Sequence, residues 1–119
     1  MRLSMPGLLL RLEGATVLTA AVFVYTQLGG SWLLFAALIL APDLTMLGYL
    51  LNVRVGSAVY NLIHTYILPA LLLAFAWLTD ATPGIPIALI WLTHIGADRM
   101  LGFGLKYPTE FRDTHLNRV

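Results

Sequence analysis

Residues 91–100 read "WLTHIGADRM" and set His94, Asp98 and Arg99 near the end of one of the most apolar runs in the chain. A run of that composition suits lipid, where an ionisable group near a helix centre costs about 2.5–3.5 kcal/mol on insertion scales. The stretch therefore implies a membrane protein whose intramembrane charges have a purpose. Composition agrees: 59% of the 119 residues are hydrophobic, 11% are charged and the mean hydropathy is +0.82. Soluble domains average roughly 45–50% apolar and about 25% charged residues, so lipid is the expected solvent. There are no cysteines, which excludes disulfides, thiolate metal sites, iron–sulfur clusters and cysteine nucleophiles. Without a glycine-rich phosphate loop, a continuous basic stripe or a serine beside the histidines, nucleotide binding, nucleic-acid partners and serine-triad catalysis find no support.

Working outward, about 20 helical residues cross about 30 Å of hydrocarbon, and four segments qualify: 7–28, 31–51, 57–79 and 84–105. The separators "LGGS", "NVRVG" and "TDATPG" are short enough to join only antiparallel neighbours. The prediction is an all-α, polytopic membrane protein: an antiparallel four-helix transmembrane bundle, one domain over 1–119 with a tail over 106–119. The opening "MRLSMPGLLLRLEGATVLTAAVF" is read as a retained first span, because Arg11 and Glu13 interrupt its apolar run and no clean small-residue cleavage site follows. With the N-terminus inside, Arg2, Arg11, Arg54, Arg99, Lys106, Arg112 and Arg118 all fall on the cytoplasmic side, and the outer loops hold only Asp80. Tyr25, Trp32 and Trp77 mark the outer interface, Tyr49 and Tyr60 the inner one. Both termini are thus expected in the cytoplasm.

Depth follows from the helical rise of about 1.5 Å per residue: Glu13 lies about 9 Å from the inner end, Asp43 about 12–15 Å, His64 and Asp98 about 10 Å, and His94 about 16 Å. The chain alternates direction, yet all five fall in the cytoplasmic half, as one polar site shared by four helices would require. His94 and Asp98 are one turn apart on one face, and Asn61, His64 and Thr65 form a matching group on span three. Pro42 and Pro69 each remove a ladder bond in mid-span; kinks there would open a cavity, where irregular backbone is tolerated in a membrane. The plain alternatives are structural: His94 bonded to Asp98, Asp43 paired with Arg99, Glu13 and Arg11 snorkelling, Tyr60 and Trp91 packing, and Gly96, Gly102 and Gly104 permitting close helix approach. The tail, "GLKYPTEFRDTHLNRV", reads either as a solvated basic anchor or as a lid carrying Glu110, Asp113 and His115 over the site.

Two chemistries fit these residues. His64, His94, Asp98 and His115 are candidate ligands for a divalent ion such as zinc, iron or manganese, which would activate water or oxygen. Without metal, Asp43, His94 and Asp98 would act as general acid and base, giving isomerase, cyclase or hydrolase chemistry. In both, Asn61, Tyr60, Arg99 and Glu13 are candidate substrate-binding groups, and the substrate is a lipidic or hydrophobic small molecule. A bis-histidine haem on His64 and His94 is disfavoured by their depth difference of about 6 Å. The competing class is transport: length, span count and Glu13 in the first span are similar to the small multidrug resistance transporters, whose membrane carboxylate exchanges protons for cations in a dimer. That likeness leaves room for a homodimer here, but the histidines and aspartates of spans three and four depart from it.

The strings "APDLTMLGYL", "YNLIHTYILPALL" and "THIGADRMLGFGLKYPTEFRDTHL" cover about half the chain. On them it resembles a family of small bacterial four-helix integral-membrane proteins catalogued only as a domain of unknown function. The resemblance implies a multi-pass protein of the bacterial inner membrane and carries no mechanism.

Overall fold

Caps and prolines punctuate an otherwise apolar chain, and the helices begin and end where these fall. In the computed structural model, which describes residues 4–119, α1 (Met5–Gln27) starts from Ser4, whose Oγ accepts the Gly7 amide at 3.1 Å, with Pro6 in the first turn. Ser31 caps α2 (Trp32–Leu38) through the Leu34 amide, and Asn52 caps α3 (Val53–His64) through the Val55 amide at 2.7 Å. A 3₁₀ segment, Ala41–Leu50, lies between α2 and α3. After α3 come α4 (Ile67–Leu78), α5 (Gly84–Leu101) and a short α6 (His115–Arg118). The fold is all-α, with an isolated Lys106–Thr114 bridge in the tail.

Proline accounts for both interruptions. The Pro42 ring conflicts with the carbonyl four residues back, that of Leu38, where α2 ends. The chain tightens, and the Asp43 amide bonds to Leu40 rather than to Ile39. A 3₁₀ run of 10 residues is long for a conformation that seldom exceeds three or four. Pro69 conflicts in the same way with the Thr65 carbonyl; Thr65 turns extended at φ −91, ψ 149, so α3 stops at His64 and α4 restarts at Ile67.

Helix α5 is the central element, burying Ala88, Leu89, Ile90, Thr93, His94, Ile95, Gly96 and Arg99. It packs antiparallel to α1, and the two backbones meet at paired glycines: a Cβ on Gly96 would lie 2.7 Å from the Gly14 carbonyl oxygen, and one on Gly14 2.8 Å from that of Gly96. Further along, Ala21 and Tyr25 of α1 pack on Leu89 and Ile90, and the Tyr25 hydroxyl donates to the Ser31 carbonyl. Helix α4 packs on another side of α5, and α3 packs on the 3₁₀ segment.

Met5–Gln27, Trp32–Leu50 and Val53–Leu78 are long and apolar enough to cross a membrane. Helix α5 is not among them, because His94, Asp98 and Arg99 lower its hydropathy; it is instead the helix most wrapped by its neighbours. The expected spans are also reshaped. The second is half 3₁₀, and the third is two helices beginning at Val53, which places Arg54 in a first helical turn instead of a loop. The fourth ends at Leu101 because Gly102, at φ 96, closes it with the Gly102 amide on Arg99 and the Phe103 amide on Asp98. Of the three glycines read as helix-contact residues, only Gly96 serves that purpose; Gly102 is this cap, and a Cβ on Gly104 would strike the His115 ring at 2.5 Å. The start of α1 and the end of the chain lie together, since a Cβ on Gly7 would sit 3.6 Å from the Val119 oxygen. Arg2 lies outside the described residues.

The glycine crossing is directly testable. Gly96→Ala is expected to cost about 1–3 kcal/mol by overpacking, read as a lower midpoint when the detergent-solubilised protein is titrated with a denaturing detergent; an unchanged midpoint refutes the close approach.

Candidate metal centre

His94 and Asp98 lie one turn apart on α5, with His94 Nε2 3.2 Å from Asp98 Oδ2. The two interrupted helices supply the other half: Asp43 from the first turn of the 3₁₀ segment, and His64 as the last residue of α3. His64 Nε2 is 3.3 Å from His94 Nε2, 3.2 Å from Asp43 Oδ1 and 3.6 Å from Asp98 Oδ2; His94 Nε2 is 3.1 Å from Asp43 Oδ1. All four residues present a ligand-type atom within 4.8 Å of every other.

The opposite ring nitrogens set the tautomers. His94 Nδ1 is 2.5 Å from the carbonyl oxygen of Ile39, the one that the 3₁₀ turn at Pro42 leaves without its helical partner. His64 Nδ1 is 2.9 Å from the Tyr60 carbonyl one turn back. A carbonyl can only accept, so both Nδ1 atoms carry the hydrogen and both neutral rings turn the Nε2 lone pair toward the carboxylates. With both rings neutral and both carboxyls ionised, four electron-pair donors converge with no hydrogen among them. Tetrahedral zinc with bonds of about 2.0–2.1 Å holds its N and O ligands about 3.3 Å apart, and the five distances above run from 3.1 to 3.6 Å. The donor set fits a divalent ion of the zinc, iron or manganese type. A porphyrin does not fit, because the imidazole nitrogens are too close for an iron between them; depth spacing was the wrong reason to disfavour haem, since the end of α3 brings His64 up to His94.

Exposure gives the group a direction. The His64 and His94 side chains are 3% and 5% exposed, whereas those of Asp43 and Asp98 are 34% and 19% exposed. The group is sealed on its imidazole side and open on its carboxylate side. The seal is built from carbonyls that the break after His64 releases: Trp91 Nε1 donates to the Ile63 carbonyl at 2.7 Å and Arg99 Nη2 to the His64 carbonyl at 3.2 Å. The Tyr60 ring stacks on His64 at 3.7 Å and 8°. Such outer contacts orient metal-binding imidazoles.

The other expected site residues lie around this group or away from it. Tyr60 and Arg99 support His64 as described, and Arg99 has no carboxylate within 4.0 Å among the described residues, so its expected pairing with Asp43 is not made. Asn61 holds the tail instead: its Oδ1 accepts the Lys106 amide at 2.6 Å and its Nδ2 donates to the Lys106 carbonyl at 2.7 Å. His115 stands outside the cluster, with Nε2 3.0 Å from Arg99 Nη1 and Nδ1 accepting the Leu105 amide at 2.8 Å. Glu13 is exposed on α1 beside Thr16 and Tyr66, apart from the group. Two contributors escape sequence reasoning. Trp91 reads as packing yet donates to the backbone beside His64, and Lys106 reads as a surface anchor yet is buried.

The tail is folded, as the lid reading requires. Lys106 Nζ donates to the Phe111 carbonyl at 2.7 Å and lies over the Phe111 ring and, at 4.6 Å, over Tyr60. Phe111 meets Tyr49 edge-on, and Leu116 is buried. Asp113 accepts two bonds from Arg118, which holds its carboxyl well down, at about 2. Burial and then the Arg99 charge push the His115 imidazole below the ordinary histidine range; Nδ1 accepts the Leu105 amide, and a second ring proton there would break that bond.

The chain belongs to the family described as Domain of unknown function (DUF4260), which it matches over residues 7–119. The match extends well beyond the half of the chain whose strings suggested such a family. No curated protein and no solved structure matches it.

Two outcomes follow for the tail. Asn61→Ala removes both bonds to Lys106, and leaving buried partners unsatisfied costs about 1–3 kcal/mol; tryptic cleavage after Lys106 is expected to speed up several-fold, and an unchanged rate refutes the clasp. A histidine below its unfolded pKa of about 6.5 when docked is neutral there, so docking is complete above that pH and weakens as pH falls from it toward the lowered value. An NMR titration should therefore show the His115 ring titrating below 6.5 with the Leu105 amide shifting in step; a normal or raised value contradicts the docked geometry.

Proposed function

We propose that this member of the DUF4260 family is a multi-pass membrane enzyme that holds a divalent metal ion, zinc first among the candidates, on Asp43, His64, His94 and Asp98. Its substrate is a lipidic or otherwise hydrophobic small molecule, met on the cytoplasmic side of the bacterial inner membrane. One observation carries the reading: two imidazole Nε2 atoms, each on a ring whose Nδ1 faces a backbone carbonyl, converge with two carboxylates within 4.8 Å of one another. A single divalent cation satisfies all four at once. Protons satisfy them poorly, since hydrogens on both Nε2 atoms would face each other across 3.3 Å, and this ranks metal-free acid–base chemistry second.

Zinc held by all four in a tetrahedron is closed, and an ion that exchanged Asp43, the most exposed of the four, for water would gain the open position that activates it, which makes hydrolysis the favoured reaction class. The imidazoles, locked from behind by backbone carbonyls, and Asp98 would keep the ion, and Asp43 is the ligand placed to leave it and take a proton from the nucleophile. Transport through Glu13 ranks lower, because Glu13 stands apart from the polar group. Four crossings are proposed: the three apolar segments plus α5, whose polar face is covered by its neighbours. Arg11, Lys106, Arg112 and Arg118 lie at the end where both termini meet, which supports a cytoplasmic placement of that end.

Elemental analysis of the purified protein tests the reading. About one zinc, iron or manganese per chain is expected, from the single four-ligand set, and its loss in the His64→Ala, His94→Ala double variant. Purification without stoichiometric metal, and failure to take it up on addition, would exclude a metalloenzyme.

A further inference from the structure

Beside the four-residue group lies an apolar cleft of about 310 Å³, at the lower edge of the size of small-molecule sites. Its walls come from the elements that build the group: Leu38, Ala41 and Thr45 before and within the 3₁₀ segment, Ile63 next to His64, and Ile87 and Trp91 on α5. On α5 the positions 87, 91, 94 and 98 follow the three- and four-residue steps of one helix face. Cleft and metal group therefore border one face of α5, about 10 Å apart along the helix axis from Ile87 to His94 at about 1.5 Å per residue, with the Trp91–Ile63 hydrogen bond between them.

The two ends of this face differ in chemistry. The cleft end is apolar, and Ile87 in its wall is 42% exposed. The other end is the open, carboxylate side of the group. Pro42 lines the cleft and is followed directly by Asp43, the most exposed of the four ligands. A ligand that spans this face has a slender hydrocarbon part and a polar part at the metal.

Resting on the metalloenzyme reading, we infer that the cleft between the 3₁₀ segment and α5 is the chain-binding subsite for a single-chain amphiphile, which enters sideways from the lipid and places its polar head at Asp43 and Asp98. The Pro42 break serves both halves of this site. It frees the carbonyl that locks His94 and separates the 3₁₀ segment from α5 where the chain lies. A second apolar groove, between α1 and α4 and lined by Val17, Val24 and Leu73, is larger but does not lead to the metal group, and it serves as the internal control.

The full-length protein, reconstituted in lipid nanodiscs with zinc, is exposed to a long-chain fatty alcohol bearing an alkyl diazirine, and the photolabelled residues are mapped by mass spectrometry. Metal content is measured on the same samples. Label is expected on the cleft residues in preference to Val17, Val24 and Leu73. In Ile87→Trp, and separately in Thr45→Leu, cleft labelling should fall by about tenfold, the change that losing contact with roughly two buried methylenes produces, while metal content stays at the wild-type level and reports an intact fold. Equal labelling of the two grooves, or cleft labelling that neither variant alters, overturns the subsite. Cleft labelling that responds to the variants in a protein that takes up no metal supports the chain site and rejects the metalloenzyme reading, so the two fail separately.

Discussion

Two interrupted helices make the centre of this protein possible. In an unbroken span each carbonyl is taken by the amide four residues on, and an imidazole reaching across from another helix finds no free carbonyl. At Pro42 the switch to i→i+3 bonding releases the Ile39 carbonyl, and His94 takes it. After His64 the break imposed by Pro69 releases carbonyls that Trp91 and Arg99 take. In lipid such groups must be satisfied inside the protein, so the breaks and the polar side chains of α5 require each other. Neither is stable alone: a straight helix would leave His94 without an acceptor, and an apolar α5 would leave carbonyls unbonded.

From that reciprocity comes the direction of the site. Backbone acceptors on the far side of both rings force the lone pairs inward, toward Asp43 and Asp98, and the Tyr60 stack prevents the His64 ring from turning. The burial pattern leaves the carboxylate side of the group more exposed than the imidazole side. The tail completes the enclosure on the Tyr60 side, clasped by Asn61 and by Lys106 over two aromatic rings. Arg99 links these layers, touching the His64 carbonyl on one side and His115 on the other.

Much of this was legible in residue order. Helical periodicity put His94 and Asp98 on one face, and counting rises along alternating spans brought Asp43 and His64 to their level, because both arguments rest only on helix geometry. Pro42 and Pro69 announced the breaks. Glu13 and His115 show where such counting stops. Depth along a helix axis says nothing of azimuth, so Glu13 at the expected level still points away from the group. The position of His115 depends on how an irregular tail folds back, which no periodicity records.

Apolar content and proline positions therefore determined by themselves that this chain is helical, with segments long and apolar enough to cross a membrane and breaks at Pro42 and Pro69. These are properties of local geometry and of solvent. Only the tertiary structure decided which four of the ionisable groups meet, that both imidazoles face inward, and that Asn61 and Arg99 hold backbone and tail in place. Those outcomes turn on ångström-scale distances between elements far apart in the chain, set by the Gly14–Gly96 crossing and the carbonyls that each break sets free.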